Sequence, residues 1–162
     1  MPGLNENPFA VLTAVVAPAI LTNACSVLCL GTANRIGRVV DRTRVVSAAR
    51  ASLATGSPDY KTYSRQLEML QTRGKLLMRA LRIFYAALGA FAASALTAVV
   101  GSALAAYDLQ TTFHAAAVIG FGVGSVAVYA LVAGCALMVR ETRLAIRGMT
   151  EEIELTRSST GG

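Results

Sequence analysis

The chain is 162 residues long, room for about one domain, and 54% of it is hydrophobic against 15% charged. Soluble domains carry roughly 25% charged residues. The deficit, with a mean hydropathy of +0.54, argues against a soluble globular enzyme, a disordered chain or a disulfide-stapled secreted domain. Net charge is +6, from 15 Lys and Arg over 9 Asp and Glu, and one His with no Trp leaves little for metal or redox chemistry. The expected solvent is a lipid bilayer.

The first element is an apolar run over residues 9–33, inside a stretch with no charge between Glu6 and Arg35. A helix needs about 20 mostly apolar residues to cross a hydrocarbon core, so this run is long enough. It has no Lys or Arg before it, exceeds the length of a signal-peptide core and lacks a convincing cleavage site, so it reads as a retained span. Pro18 removes a backbone donor within it. Thr22 and Ser26 share a helical face, with Asn23 beside them. Two readings of this face stay open. The polar groups hydrogen-bond to the other spans or to carbonyls freed by Pro18, or they line a polar seam or pore at the axis of an oligomer.

Residues 34–82 follow as a helical hairpin. Asn34, Arg35, Arg38, Asp41, Arg42 and Arg44 form its densest signal, with Arg35, Arg38 and Arg42 on one face and Asp41 three residues from both Arg38 and Arg44. Three readings stand side by side: interfacial anchors against anionic lipid headgroups, a charge network between helices, or a ring at a pore mouth. Asp41 is the sole carboxylate in this cluster and no His or nucleophilic Ser stands beside it, so acid–base catalysis lacks its players and no enzyme is expected. The hairpin breaks at residues 55–59, where Gly56 suits a helix C-cap, Ser57 an N-cap and Pro58 the first helical position. Ile36, Val39, Thr43, Val46 and Leu53 before the break recur at helical steps. Tyr60, Tyr63, Leu67, Leu70, Gly74, Leu77, Leu81 and Phe84 after it keep the alternating three-and-four spacing of a coiled-coil seam. A hairpin lying flat on the membrane surface is the competing picture.

The second and third spans cover residues 83–107 and 113–139, joined by a short connection. Ser94 and Ala98 lie on a small-residue stripe of the second, and Gly120 and Gly124 form a small-xxx-small pair on the third, a pattern that permits close helix packing. The Gly120–Gly124 stretch has neither a strand before it nor Lys-Ser/Thr after it, so it is no phosphate loop. Helix then continues over residues 140–157, with Val139, Ile146, Met149 and Ile153 as a weaker seam, and residues 158–162 read as a frayed polar end.

Cys25, Cys29 and Cys135 read as buried thiols acting as small hydrophobes, and no metal or other cofactor is expected. The basic residues lack interleaved aromatics, so no nucleic-acid partner is expected. Eleven of the 15 basic residues fall between the first two spans and the other four after the third. By the positive-inside rule the hairpin and C-terminus are cytoplasmic and the N-terminus is outside. A barrel would need many alternating strands, which this sequence does not show; the fold class is therefore all-α, an integral membrane protein with three transmembrane helices whose cytoplasmic extensions form a helical hairpin and bundle.

With these residues noted, the chain resembles the bacterial membrane family catalogued as domain of unknown function 2721. The resemblance rests on Ala17, Pro18 and Ala19, on Asn34 with Arg35, and on residues 38–44, and extends through the later spans. It implies a small bacterial inner-membrane protein of three spans with no assigned activity and no catalytic residues to carry over. The expected role is a homo-oligomeric structural or channel-like module with the first span lining the axis. The alternative is an accessory subunit docking onto a larger membrane complex through its cytoplasmic helices.

Overall fold

A computed structural model of the chain describes residues 8–105 and 110–160; most of the N-terminal tail and the first half of the short connection fall outside the described residues. Three helices, α1 (Pro8–Ala51), α2 (Pro58–Ala105) and α3 (Gln110–Thr160), make up the fold. It is all-helical, and each helix is long and apolar enough to cross a membrane. The helices contain 44, 48 and 51 residues, against the roughly 20 a hydrocarbon core requires. Each therefore carries one apolar run and continues unbroken into charged sequence. α1 runs through Pro18 without ending there, and α3 stays helical through residues 158–160, where the polar composition suggested fraying.

The break between α1 and α2 shows how local chemistry closes two helix ends. The last turn of α1 tightens, with the Ser52 N–H donating to the Ala49 carbonyl (3.3 Å) and Leu53 N–H to that of Arg50 (3.2 Å). Ser57 caps α2: its Oγ accepts from the Tyr60 N–H at 3.1 Å, and Pro58 occupies the first helical position, where no N–H is needed. Gly56 does not cap α1 as its sequence context suggested. It sits inside a separate turn, closed by the Ser57 N–H on the Ala54 carbonyl at 3.2 Å, with φ +97°. The helix ends five residues earlier, so the left-handed residue serves the turn. A Cβ at Gly56 would meet nothing within 4 Å, so substitution costs backbone strain alone. Gly56→Ala is expected to lower unfolding stability by about 1 kcal/mol, with Thr55→Ala as the neutral control in the same denaturation series.

The chain divides into two compact units, Met1–Leu30 with Arg82–Ala133 and Gly31–Leu81 with Gly134–Gly162. In the first unit small residues and two phenylalanines, Phe84 and Phe91, face inward, and many large aliphatic residues face outward. Cys25 of α1, Ala87 and Phe91 of α2 and Ala127 of α3 form its buried cluster, whereas Val27, Leu96, Val118 and Val132 are exposed, Phe121 by 80% and Tyr129 by 78%. Water would not tolerate so continuous an apolar exterior; lipid would. α2 and α3 approach closely here and run antiparallel. The Ser94 hydroxyl donates to the Gly120 carbonyl at 2.8 Å. A Cβ at Gly124 would lie 3.2 Å from Ser94 Oγ, and one at Gly101 3.3 Å from the Ala116 Cβ. The absence of side chains at these glycines sets the spacing, with Ala98 half-buried along the same helix.

In the second unit Val39 and Val46 of α1 pack against Leu67, Leu70 and Leu77 of α2, with Ile36, Tyr63 and Met138 at the margin. Apart from Met138, these are positions of the apolar repeat read from the sequence. α1 and α2 run antiparallel: a Cβ at Gly74 would touch Val39 at 3.8 Å, and the Arg50 guanidinium lies 5.7 Å from the Tyr60 ring centre. α3 joins with a register the apolar pattern did not indicate. Val139 and Ile146 are exposed, and Met138, Glu141, Ala145 and Gly148 turn inward instead. The side chains of Met149 and Ile153 lie outside the described residues. The expected seam is displaced because its inward position holds a carboxylate, which no hydrophobic repeat would register.

Candidate functional site

Glu141 is the organising residue of the second unit. It is 2% exposed, and an unpaired carboxylate so buried would cost several kcal/mol. Its two oxygens are shared between two helices. Oε1 accepts from Nε of Arg73 at 2.8 Å and also lies 2.8 Å from Nη2 of the same guanidinium. Oε2 accepts from Nη1 of Arg35 at 3.4 Å. Arg35 Nη1 donates in addition to the Thr142 hydroxyl at 3.2 Å, which itself donates to the Met138 carbonyl at 3.0 Å. One carboxylate on α3 thus holds one arginine from α1 and one from α2.

Beside this network lies a groove of about 280 Å³ whose polar lining is Arg35, Arg38, Arg42, Arg73, Glu141 and Thr142. Its apolar lining comes from Val39, Leu70 and Ala145. Four arginines thus line the groove, and Arg35 and Arg73 are the two whose contacts with Glu141 are given above.

The structure brings together Arg35, Arg38 and Arg42, which the helical spacing placed on one face. It leaves Asn34, Asp41 and Arg44 exposed and outside the groove lining. Asp41, expected between Arg38 and Arg44, takes part in neither of the Glu141 ion pairs; the carboxylate that gathers arginines comes from 106 residues beyond Arg35. Sequence reasoning missed Glu141 and Arg73. The available signal was a single acidic residue between Arg140 and Arg143, directly after an uncharged run of α3.

On α1 the polar face is satisfied within its own helix, apart from Asn23. Thr22 Oγ1 donates to the Pro18 carbonyl at 2.8 Å and Ser26 Oγ to the Thr22 carbonyl at 3.0 Å, so neither hydroxyl reaches another helix. Asn23 is exposed. Cys25 and Cys29 are buried and Cys135 is half-buried, none of them in a disulfide, and among the described residues no group of three His, Cys, Asp or Glu is placed to hold a metal.

A family model described as "Protein of unknown function (DUF2721)" matches residues 15–151. The chain belongs to the DUF2721 family. Comparison with curated proteins and with solved structures finds no match. The DUF2721 match takes in the polar face of α1, the Glu141 network and every residue that lines the groove. This chain is thus a member of an uncharacterised family, with three apolar helices consistent with a membrane protein of unassigned activity.

Proposed function

We propose that this DUF2721 chain is an inner-membrane structural or channel-like module, not an enzyme, that works as a homo-oligomer. The face of α1 carrying Thr22, Asn23 and Ser26 lines the axis. The N-terminus lies outside, and the hairpin and C-terminus, with all 15 basic residues, are cytoplasmic.

The observation that carries this reading is Asn23. It stands exposed on an apolar helix, with large hydrophobic neighbours Ile20, Val27 and Leu30 also facing outward. A primary amide in hydrocarbon is costly without a hydrogen bond. An amide is both donor and acceptor, so copies related by symmetry satisfy one another at the same position. A water-filled axis would satisfy it equally well.

The reading is tested by light scattering of the protein in mild detergent. A mass that is a multiple of the protomer is expected, shifting toward the protomer in Asn23→Leu; a monomeric wild type overturns the proposal. Flux through liposomes separates the channel from the purely structural form, because conductance unchanged in Asn23→Leu would remove α1 from the lining. A second reading, docking onto a larger membrane complex, is favoured by the exposed apolar side chains of Val139 and Ile146 on α3. A stoichiometric partner that co-purifies with the chain would select it.

A further inference from the structure

We propose that the outward faces of α1 and α3 in the first unit meet between copies of the chain, with Asn23 of one copy hydrogen-bonded to Tyr129 of the next. The inference rests on the self-association proposed above and adds which faces come together. Its first support is the way polar side chains in the apolar runs are satisfied. Thr22, Ser26, Thr97 and Ser125 each donate to a carbonyl one turn back in their own helix, and Ser94 donates to Gly120 across the α2–α3 contact. Asn23 and Tyr129 do neither. Both are exposed, Tyr129 by 78%, and neither side chain has a hydrogen-bonding partner among the described residues. Tyr85 is exposed too, but it stands three residues from Arg82 at the charged end of its run, where a phenol meets polar surroundings.

The two groups lie at one level. Each stands ten residues before the end of its apolar run, 9–33 for α1 and 113–139 for α3, which is about 15 Å of helix and farther than either side chain extends. They also flank one buried cluster. Asn23 is two residues before Cys25 and Tyr129 two after Ala127, so their backbones differ in level by about 6 Å at most, within the length of a tyrosine side chain. Copies inserted in the same orientation share that level. Asn23 could pair with its own symmetry mate, but that would leave the Tyr129 hydroxyl unpaired in hydrocarbon, which is costly. Joining α1 to α3 satisfies both: the phenol O–H donates to the amide carbonyl, and the amide N–H groups remain for the polar seam. Every copy presents both faces, so the contact repeats through the assembly. The α3 face also admits close approach. Gly122 is exposed and lies two turns before Tyr129 on the same side of the helix. A Cβ there would meet nothing within 4 Å, whereas Gly101, Gly120 and Gly124 serve the contact between α2 and α3. A glycine left over on an outward face gives room to a neighbouring backbone.

The experiment uses the full chain in mild detergent and has two readouts. Sedimentation equilibrium measures self-association of wild type, Tyr129→Phe, Asn23→Leu, the double variant and Gly122→Leu, with Tyr85→Phe as the control. Tyr129→Phe removes one exposed oxygen and keeps the ring, so the protomer itself loses no contact. Circular dichroism checks that each variant is folded. For the second readout, isotopically labelled chain carrying a photo-crosslinking benzophenone amino acid at position 129 is mixed with unlabelled wild type. Irradiation followed by mass spectrometry shows which segment of the other copy is captured.

Tyr129→Phe and Asn23→Leu are each expected to weaken association about three- to tenfold, the range of interhelical hydrogen bonds in membranes. The double variant should lose no more than the weaker-binding single variant, because either change alone already removes the shared contact. Gly122→Leu should also weaken association and Tyr85→Phe should not. Cross-links are expected to join position 129 of one copy to α1 around Asn23 of the other. Association equal to wild type in Tyr129→Phe or Gly122→Leu, losses that multiply in the double variant, or cross-links to any segment but α1 overturn the pairing and leave self-association standing. A monomeric wild type removes self-association, and the pairing with it.

Discussion

Truncating Leu77 to Ala is expected to cost about 2–5 kcal/mol, more than truncating the larger Phe91. Leu77 is fully buried among Val39, Val46, Leu67 and Leu70, and its helix exposes Lys75 and Arg79 close by. Water is therefore the alternative solvent for that side chain, so its loss forfeits both transfer free energy and packing. Phe91 is equally buried, but in the unit whose exterior is apolar. If lipid surrounds that unit, the hydrocarbon is as good a solvent as the core, and Phe91→Ala loses packing alone. Unfolding of both variants in mild detergent measures the order. Should Phe91→Ala prove the costlier, as side-chain volume alone would dictate, lipid is not the solvent of the first unit.

The second large effect is expected at Glu141. Glu141→Ala strands Arg35 and Arg73 without their carboxylate. For a wholly buried ion pair the loss of one partner costs about 3–5 kcal/mol. Here Arg35 is 43% exposed and Arg73 30%, so both can regain water, and about 2 kcal/mol is the better expectation. At this chain length that corresponds to a fall of about 4–8 °C in Tm, read by a thermal scan against Glu68→Ala, an exposed acidic residue on α2. Glu141→Leu combined with Arg35→Met and Arg73→Leu should recover most of the loss, since an apolar set of similar volume needs no counter-charges. An unchanged Tm in Glu141→Ala would mean that the carboxylate does not join the three helices.

The two predictions probe features of different legibility. The apolar run of each helix could be read directly, because crossing hydrocarbon demands length and absence of charge, both properties of consecutive residues. The α2 cap was equally legible: Ser57 and Pro58 act on backbone groups within three residues. So was the inward face of α2 at Leu67, Leu70 and Leu77, since helical periodicity repeats a local geometry. Gly56 marks the limit of such reasoning. Its composition marked a break, but whether its left-handed backbone ends α1 or serves a turn depends on where α1 stops.

The arginine site was legible by half. The face shared by Arg35, Arg38 and Arg42 follows from spacing along one helix, whereas the counter-charge was sought in Asp41 because Asp41 is near in sequence. Glu141 lies 68 residues from Arg73 along the chain, and no local pattern connects them. The inward register of α3 was hidden for the same reason.

What the amino-acid order determined by itself was the set of three apolar helices, the break between the first two, the confinement of basic residues to the stretches between the apolar runs of α1 and α2 and after that of α3, and membership of the DUF2721 family, since each depends on neighbours within a few helical turns or on the order itself. Only the tertiary structure decided that Glu141 joins Arg35 to Arg73, that Thr22 and Ser26 turn back on their own helix, and that Asn23 faces outward. The physical reason is that burial and ion pairing are properties of surfaces brought together from distant segments. A buried charge is stable only once the partners that compensate it have been placed beside it.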